Sequence, residues 1–276
     1  MHGGARTAAR LVTVRGGPPW RRRQFRGENG HDERGDGPAG EHRDRLGERE
    51  PATKGPKPGL SLDRIVAAAV KLAAAEGLAA VSMGRVAGEL GASPMSLYRY
   101  VASKDELLAL MVDAAVGPPP PASQPGEDWR AGLSRWSWSY FEALASHPWV
   151  VHVPISGPPV TPNGVAWMEA GLASLAGTGL DEGEKLSVIL LLNGYVRNEV
   201  TLMADLGAEA AGSGDPNVSG AWSRVITRVT DAEGFPALHR ALASGVLEVD
   251  DDPDEDFSWR LERVLDGVDV LVRERG

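Results

Sequence analysis

Between Ser93 and Lys104 the chain gathers side chains suited to gripping a polyanion and reading its edges, not to breaking bonds. Arg99 carries planar donors that match guanine, and Met95 offers an apolar tip for a thymine methyl. Ser93, Ser96, Tyr98 and Tyr100 supply hydroxyls, and Lys104 a charge, for phosphate oxygens. Pro94 suits a first helical position, where a missing N–H does no harm. Arg99 is placed for a base edge or for a phosphate.

Such residues work only if helices hold them outward. A first helix is predicted from Ser61, a good N-cap, with Asp63 in the first turn and Ile65, Ala69, Leu72 and Ala73 at helical spacing up to Gly77. A second follows Ser82, with Met83, Val86, Ala87 and Leu90 on one stripe. Gly91 then supplies a permissive backbone for a tight turn, and the small Ala87 lets two steeply crossing helices approach. In the third helix, a 100° step that buries Leu97 also buries Val101 and turns Met95 and Arg99 outward. The fourth starts after Ser103, where its amides and Lys104 make a phosphate site. The arrangement is a helix-turn-helix.

The run ASPMSLYRYVASKDELLALM resembles the recognition segment of the TetR family of bacterial transcriptional repressors, with LYRYVASK its most specific part. The first helix and SMGRVAGELG match the family in order and spacing. By that resemblance Ser82, Arg85, Ser96, Tyr98, Tyr100 and Lys104 contact the DNA backbone, while Pro94, Met95 and Arg99 read bases. Arg99 stands where relatives often carry an uncharged aromatic or small residue. Plainer roles exist for two of these: Tyr98 packed on the first helix, and Arg85 as a solvated charge.

The 276 residues are 42% hydrophobic, enough for a sizeable core, and contain no cysteine, which excludes disulfides and thiolate metal sites and agrees with a cytoplasmic protein. Residues 1–58 have few apolar side chains and no periodicity, so they are expected to be a disordered Arg/Gly-rich tail. They hold 13 Lys/Arg against 8 Asp/Glu, with a basic cluster at Arg21 to Arg26, and fit either a DNA-seeking arm or sequence lying upstream of the native start. Residues 59–105 are expected to form the helix-turn-helix domain and 106–276 a second, helical domain, which the resemblance given below marks for ligand binding and dimerisation. Residues 117–276 carry 11 basic against 24 acidic side chains, so DNA binding must rest on a few placed donors and have a modest salt slope.

The fourth helix is expected to end near Val116, before GPPPPASQPG, whose four consecutive prolines forbid continuation and mark a joint. Further helices are expected at 129–147, from Asn163 to about Gly177, from Asp181 through Asp205, at 219–231, at 235–244 and at 257–274, with Asp250 to Phe257 as a solvated acidic linker. The acidic run lacks the spacing of a calcium loop. No strand or internal repeat is evident, no stretch suits a bilayer, and the fold class is all-α.

More loosely, this second region resembles the regulatory domain of the tetracycline-repressor branch, through its early Trp, His147-Pro148-Trp149, Pro162-Asn163-Gly164 and Gly194-Tyr195. The resemblance implies a ligand pocket and a four-helix dimer bundle built from 181–205 and 257–274. Neither magnesium nor tetracycline is carried over, and no metal or cofactor is expected. Dimerisation has its own argument, since one recognition helix makes too few contacts for specificity and a two-fold pair meets successive major grooves. Pocket candidates are aromatics and polar groups within apolar helices: Trp136, Tyr140, Trp149, His152, Trp167, Met168, Asn193, Arg197 and Asn198. Trp136 and Tyr140, four residues apart, are a spacing more often found in plain core, and Arg197 suits a pair across the dimer.

These features together predict a transcriptional regulator, a repressor released from a palindromic operator by a small-molecule effector, with activation or ligand-independent DNA binding as alternatives. An enzyme is disfavoured because the sequence holds no H-E-x-x-H, nucleophile elbow or Gly-rich phosphate loop.

Overall fold

The computed structural model describes residues 59–122, 124–155, 157, 160–213, 218–246 and 253–276. The expectations for the 1–58 tail lie outside these residues. Among the described residues every regular element is helical.

The head begins with α1 (Leu62–Glu76), α2 (Met83–Glu89) and α3 (Pro94–Leu97), and α4 (Lys104–Val116) packs back on α1. Each opens on a serine whose hydroxyl accepts a backbone N–H three residues on: Ser61 from Arg64, Ser82 from Arg85, Ser93 from Ser96 and Ser103 from Glu106. Each cap satisfies one orphan amide and contributes about 1 kcal/mol. Gly91 sits at φ 62°, a left-handed conformation that a side chain would resist, and lets α2 turn into α3. Ile65, Val81, Val86, Leu97, Val101, Leu107 and Met111 are fully buried and make the head's core.

The body is built around α5 (Trp129–Ala145), which packs on α4, on α6 (Pro162–Ser174), on α7 (Glu182–Ser213), on the short helical turn Pro148–His152 and on α10 (Pro253–Arg275). Burial of four consecutive residues, Arg135 to Trp138, follows from neighbours on every side. Two shorter helices, α8 (Val218–Val229) and α9 (Pro236–Ala243), lie between α7 and α10 in the chain, close to their expected ends. Phe257 ties three helices together, its ring 4.6 Å from Trp138, 4.4 Å from Phe141 and 5.4 Å from Tyr195.

Three expectations need correction. The helix expected over 181–205 runs on to Ser213, because the AEAA run between Gly207 and Gly212 favours helix, although each glycine opposes it by about 1 kcal/mol. From Pro253 on, the acidic stretch read as a linker is the start of α10 instead, while 250–252 lie outside the described residues: Pro253 takes a first-turn position, and Asp254, Glu255 and Asp256 sit where the helix dipole favours carboxylates. The third helix closes after four residues, and Tyr98 to Tyr100 continue as turns that still bring Val101 under Leu97's face of the head, both fully buried. No helix of the described residues is long and apolar enough to cross a membrane.

Candidate nucleic-acid interface and effector site

The head presents its polar side chains on one connected stretch. Leu97 is 0% exposed while Met95, two residues earlier, is 74% exposed, so the short α3 is held by one anchor and offers the opposite side to solvent. Arg99, Tyr98 and Tyr100 are exposed beyond it, and Lys104 is exposed at the start of α4. Ser93 and Ser96 are committed to each other: the Ser96 amide donates to Ser93 Oγ at 3.3 Å and its hydroxyl to the Ser93 carbonyl at 2.5 Å. Ser82 likewise caps α2. These serines therefore shape the backbone of this exposed face, and a phosphate could be met only through the acceptor and donor capacity that remains.

Two details refine the phosphate contacts expected from the sequence. Arg85 donates to both carboxylate oxygens of Glu76, at 2.7 and 2.9 Å. Both partners are about half exposed, and an exposed pair is held by no more than about 1 kcal/mol, so a phosphate can compete for the guanidinium. At the start of α4 the Glu106 carboxylate accepts from the Ala102 amide at 2.5 Å, closing a box with Ser103. The carboxylate already takes that donor, and Lys104 is left as the cation of the site.

Within the body, four of the candidate pocket residues come together. The Trp136 ring stacks on Tyr140 at 5.4 Å and meets Trp167 edge-on at 5.8 Å, and Tyr140 lies 5.1 Å from Trp167. Asn193 Nδ2 donates to the Tyr140 hydroxyl at 3.3 Å. The Trp136 indole N–H donates to the Trp167 carbonyl at 2.9 Å. Gly171 makes the approach possible, because a Cβ there would fall 2.8 Å from Ile189 Cδ1 and 3.2 Å from Trp136 Nε1.

A second group gathers near the Pro148–His152 turn. Arg197 donates to the carbonyls of Val151 and Val153 at 3.3 and 3.5 Å, so it holds this turn against α7 within its own chain. Trp149 is buried in the turn, and His152 is exposed with Asp205 at 3.9 Å. Met168 is half-buried beside Trp167. Asn198 is exposed; five residues beyond Asn193, it is turned about 140° away around α7.

The comparisons with known proteins agree with both halves of this description. Residues 65–111 match the family described as bacterial regulatory proteins, tetR family, and residues 121–272 match the tetracyclin repressor-like C-terminal domain. The chain belongs to the TetR family. It is 38% identical over 236 residues to the HTH-type transcriptional repressor DrrR1 of Streptomyces coeruleorubidus, covering 81% of this chain and 82% of that one. Among solved structures it resembles the Streptomyces coelicolor TetR family protein ActR in complex with actinorhodin, at 29% identity and a TM-score of 0.64 over 79% of this chain and 99% of that one. ActR in complex with (S)-DNPA aligns at 28% identity and a TM-score of 0.63, over 75% and 96%. TetR family proteins are DNA-binding transcription regulators, and this chain is one.

Two features of this TetR chain escaped the sequence reading. Ser137 Oγ, His147 Nδ1 and Trp149 Nε1 are buried without a hydrogen-bond partner among the described residues. An unsatisfied buried donor costs about 1–3 kcal/mol, so these groups hold unused bonding capacity. Ser137 is flanked by two tryptophans, and burial of both already implied that the serine between them is inside. The other feature is Arg135, only 5% exposed, whose guanidinium bonds both Glu127 oxygens at 2.8 and 2.7 Å and the Pro121 and Ala122 carbonyls at 2.7 and 3.4 Å. The proline-rich joint is thus fastened to α5.

Proposed function

We propose that the protein is a repressor that grips a palindromic operator as a homodimer and releases it when a small, largely aromatic effector enters the body. The observation that carries the DNA half is the exposure of Met95 and Arg99 over a fully buried Leu97. In this reading Met95, Arg99 and Pro94 face base edges, and Ser82, Arg85, Ser93, Ser96, Tyr98, Tyr100 and Lys104 engage phosphates or shape the backbone that does.

Dimerisation is supported by the surface of α7 and α10. Leu186, Leu190, Leu191 and Leu202 on α7 and Val270 on α10 are exposed, and an apolar groove of about 730 Å³ runs between the helices, lined by Val188, Leu191, Val264, Val268 and Leu271. Apolar surface of this extent calls for a partner, and a second copy would bring two α3 helices onto one face of a duplex.

Effector binding would use the aromatic cluster of Trp136, Tyr140 and Trp167, with Asn193 as its polar contact and, as a further donor, Trp149, whose buried indole N–H has no acceptor among the described residues. Since the rings pack on one another, a ligand enters by parting them. It acts only through unequal affinity for the two states of the dimer, and about 5.5 kcal/mol of difference moves a 1:99 equilibrium to 99:1. Such a regulator works in the cytoplasm.

Gel-shift titration against the region upstream of its own reading frame tests the DNA half, and thermal shifts across a panel of aromatic compounds test the effector half. A shift that appears with DNA and is reversed by one compound is expected. A chain that retards no fragment refutes the proposal.

A further inference from the structure

The first turn of α6 is capped from outside. Pro162 at its start has no N–H, and the Thr161 side chain makes no capping bond. The amides of Asn163 and Gly164, two of the donors that a helix start leaves unpaired, instead reach Asp113 Oδ1 on α4 at 2.9 and 3.1 Å. The Asn163 side chain closes the joint from the other direction, donating to the Asp113 carbonyl at 3.0 Å and to Oδ2 at 3.2 Å. One turn along each helix, the Trp167 indole N–H donates to the Gly117 carbonyl at the end of α4, at 2.9 Å.

We infer that Asp113 is the positioning residue through which α6 sets the orientation of α4, and so of the reading helix. The inference rests on the function proposed above and deepens it. Trp167 belongs both to the aromatic cluster and to this joint, so a molecule that parts Trp167 from Tyr140 must move α6. Moving α6 then either drags the C-terminal end of α4 or strips the cap from two amides. α4 also packs on α1, and its other end, about 20 Å away at 1.5 Å per residue, carries Lys104. A helix held by both α6 and α1 transmits the displacement as a tilt.

Linkage is reciprocal, so operator binding must be felt at the joint. The test is hydrogen exchange of residues 161–169 in the full chain, with and without duplex DNA from the region upstream of its reading frame, for wild type, Asp113→Ala and Asp113→Asn. In wild type, DNA slows exchange of this segment by about fivefold or more. In Asp113→Ala the segment exchanges quickly in both states and operator affinity falls by about fivefold, while Asp113→Asn, which keeps one acceptor oxygen, recovers part of the DNA response. A cap with no part in coupling would speed exchange equally in both states and leave the DNA-dependent difference intact; that result overturns the inference, as does wild-type binding with no change at 161–169. A wild type that binds no fragment refutes the regulator proposal, and this joint with it, and does so in the wild-type arm alone. If Asp113→Ala lacks the wild-type helical circular dichroism, Asn163→Ala, which removes only the return bonds, takes its place with the same criteria.

Discussion

The head and the body place their polar groups oppositely. In the head the buried side chains are apolar and the residues proposed to meet DNA stand in solvent, whereas the buried polar or charged side chains among the described residues, Arg135, Ser137, Lys185 and Glu199, all belong to the body. Recognition of a duplex requires donors that can reach a partner as large as the protein itself, while recognition of a small molecule requires donors that water has already left. On the proposed function, one chain carries an outward surface for DNA on an apolar core and an inward effector site in the half that also buries polar groups, with α4 packed on both α1 and α5.

The contrast is sharpest for arginine. Arg135→Ala leaves the Glu127 carboxylate without its partner in the body and should cost about 3–5 kcal/mol. Arg85→Ala in the head removes an exposed pair and should cost no more than about 1 kcal/mol. Urea denaturation of both variants checks the difference, and similar losses would break the comparison. The same pair gives a pH signature. The Arg135 hydrogen bond holds the Glu127 carboxyl below the ordinary glutamate range, against the opposing effect of burial. A depressed folded value stabilises at pH above the unfolded value, about 4.3, and that contribution is lost as pH falls through the folded value. Glu127→Gln should therefore show a shallower acid loss of stability than wild type in urea midpoints taken from pH 6 downward.

Leu97→Ala should cost about 2–5 kcal/mol, because the residue is fully buried and is the sole buried anchor of α3. Stability and DNA binding should fall together, as followed by thermal unfolding and gel shift. Arg99→Ala, two positions on, should separate them: about 1–3 kcal/mol lost per half-site if it reads a base, with stability within about 0.5 kcal/mol of wild type. Lys104→Ala is the smallest change expected. It should weaken binding to every sequence alike and lower the slope of log K against log salt by about 0.9 per half-site, measured by titration across salt concentrations.

The head was legible in the sequence because each of its features is local. Four serine caps, a glycine turn and apolar residues at helical spacing determine which side of Leu97 faces out, and no distant partner is needed to settle it. In the body, type and spacing singled out Trp136, Tyr140, Trp167 and Asn193 as candidates for one pocket, and these four are in contact, whereas Trp149, His152 and Arg197 gather at the Pro148–His152 turn and Asn198 is turned away. The bond from Asp113 to Asn163 and Gly164, across 50 residues of chain, has no local signal at all. Nor does the fastening of the Pro121 and Ala122 carbonyls by Arg135, which turns a segment that composition describes as a joint into one pinned to the body. The start of α10 went unrecognised because a carboxylate-rich run suits both a solvated loop and a helix N-terminus, and only the packing of Phe257 decides between them.

The most direct measurement is a footprint of the protein on the DNA upstream of its reading frame, repeated with a Met95→Ala, Arg99→Ala double variant that still dimerises. Wild type should protect a two-fold symmetric site whose halves are centred about 34 Å apart, and the double variant should leave it open. Equal protection by both proteins would contradict the assignment of α3 as the reading element.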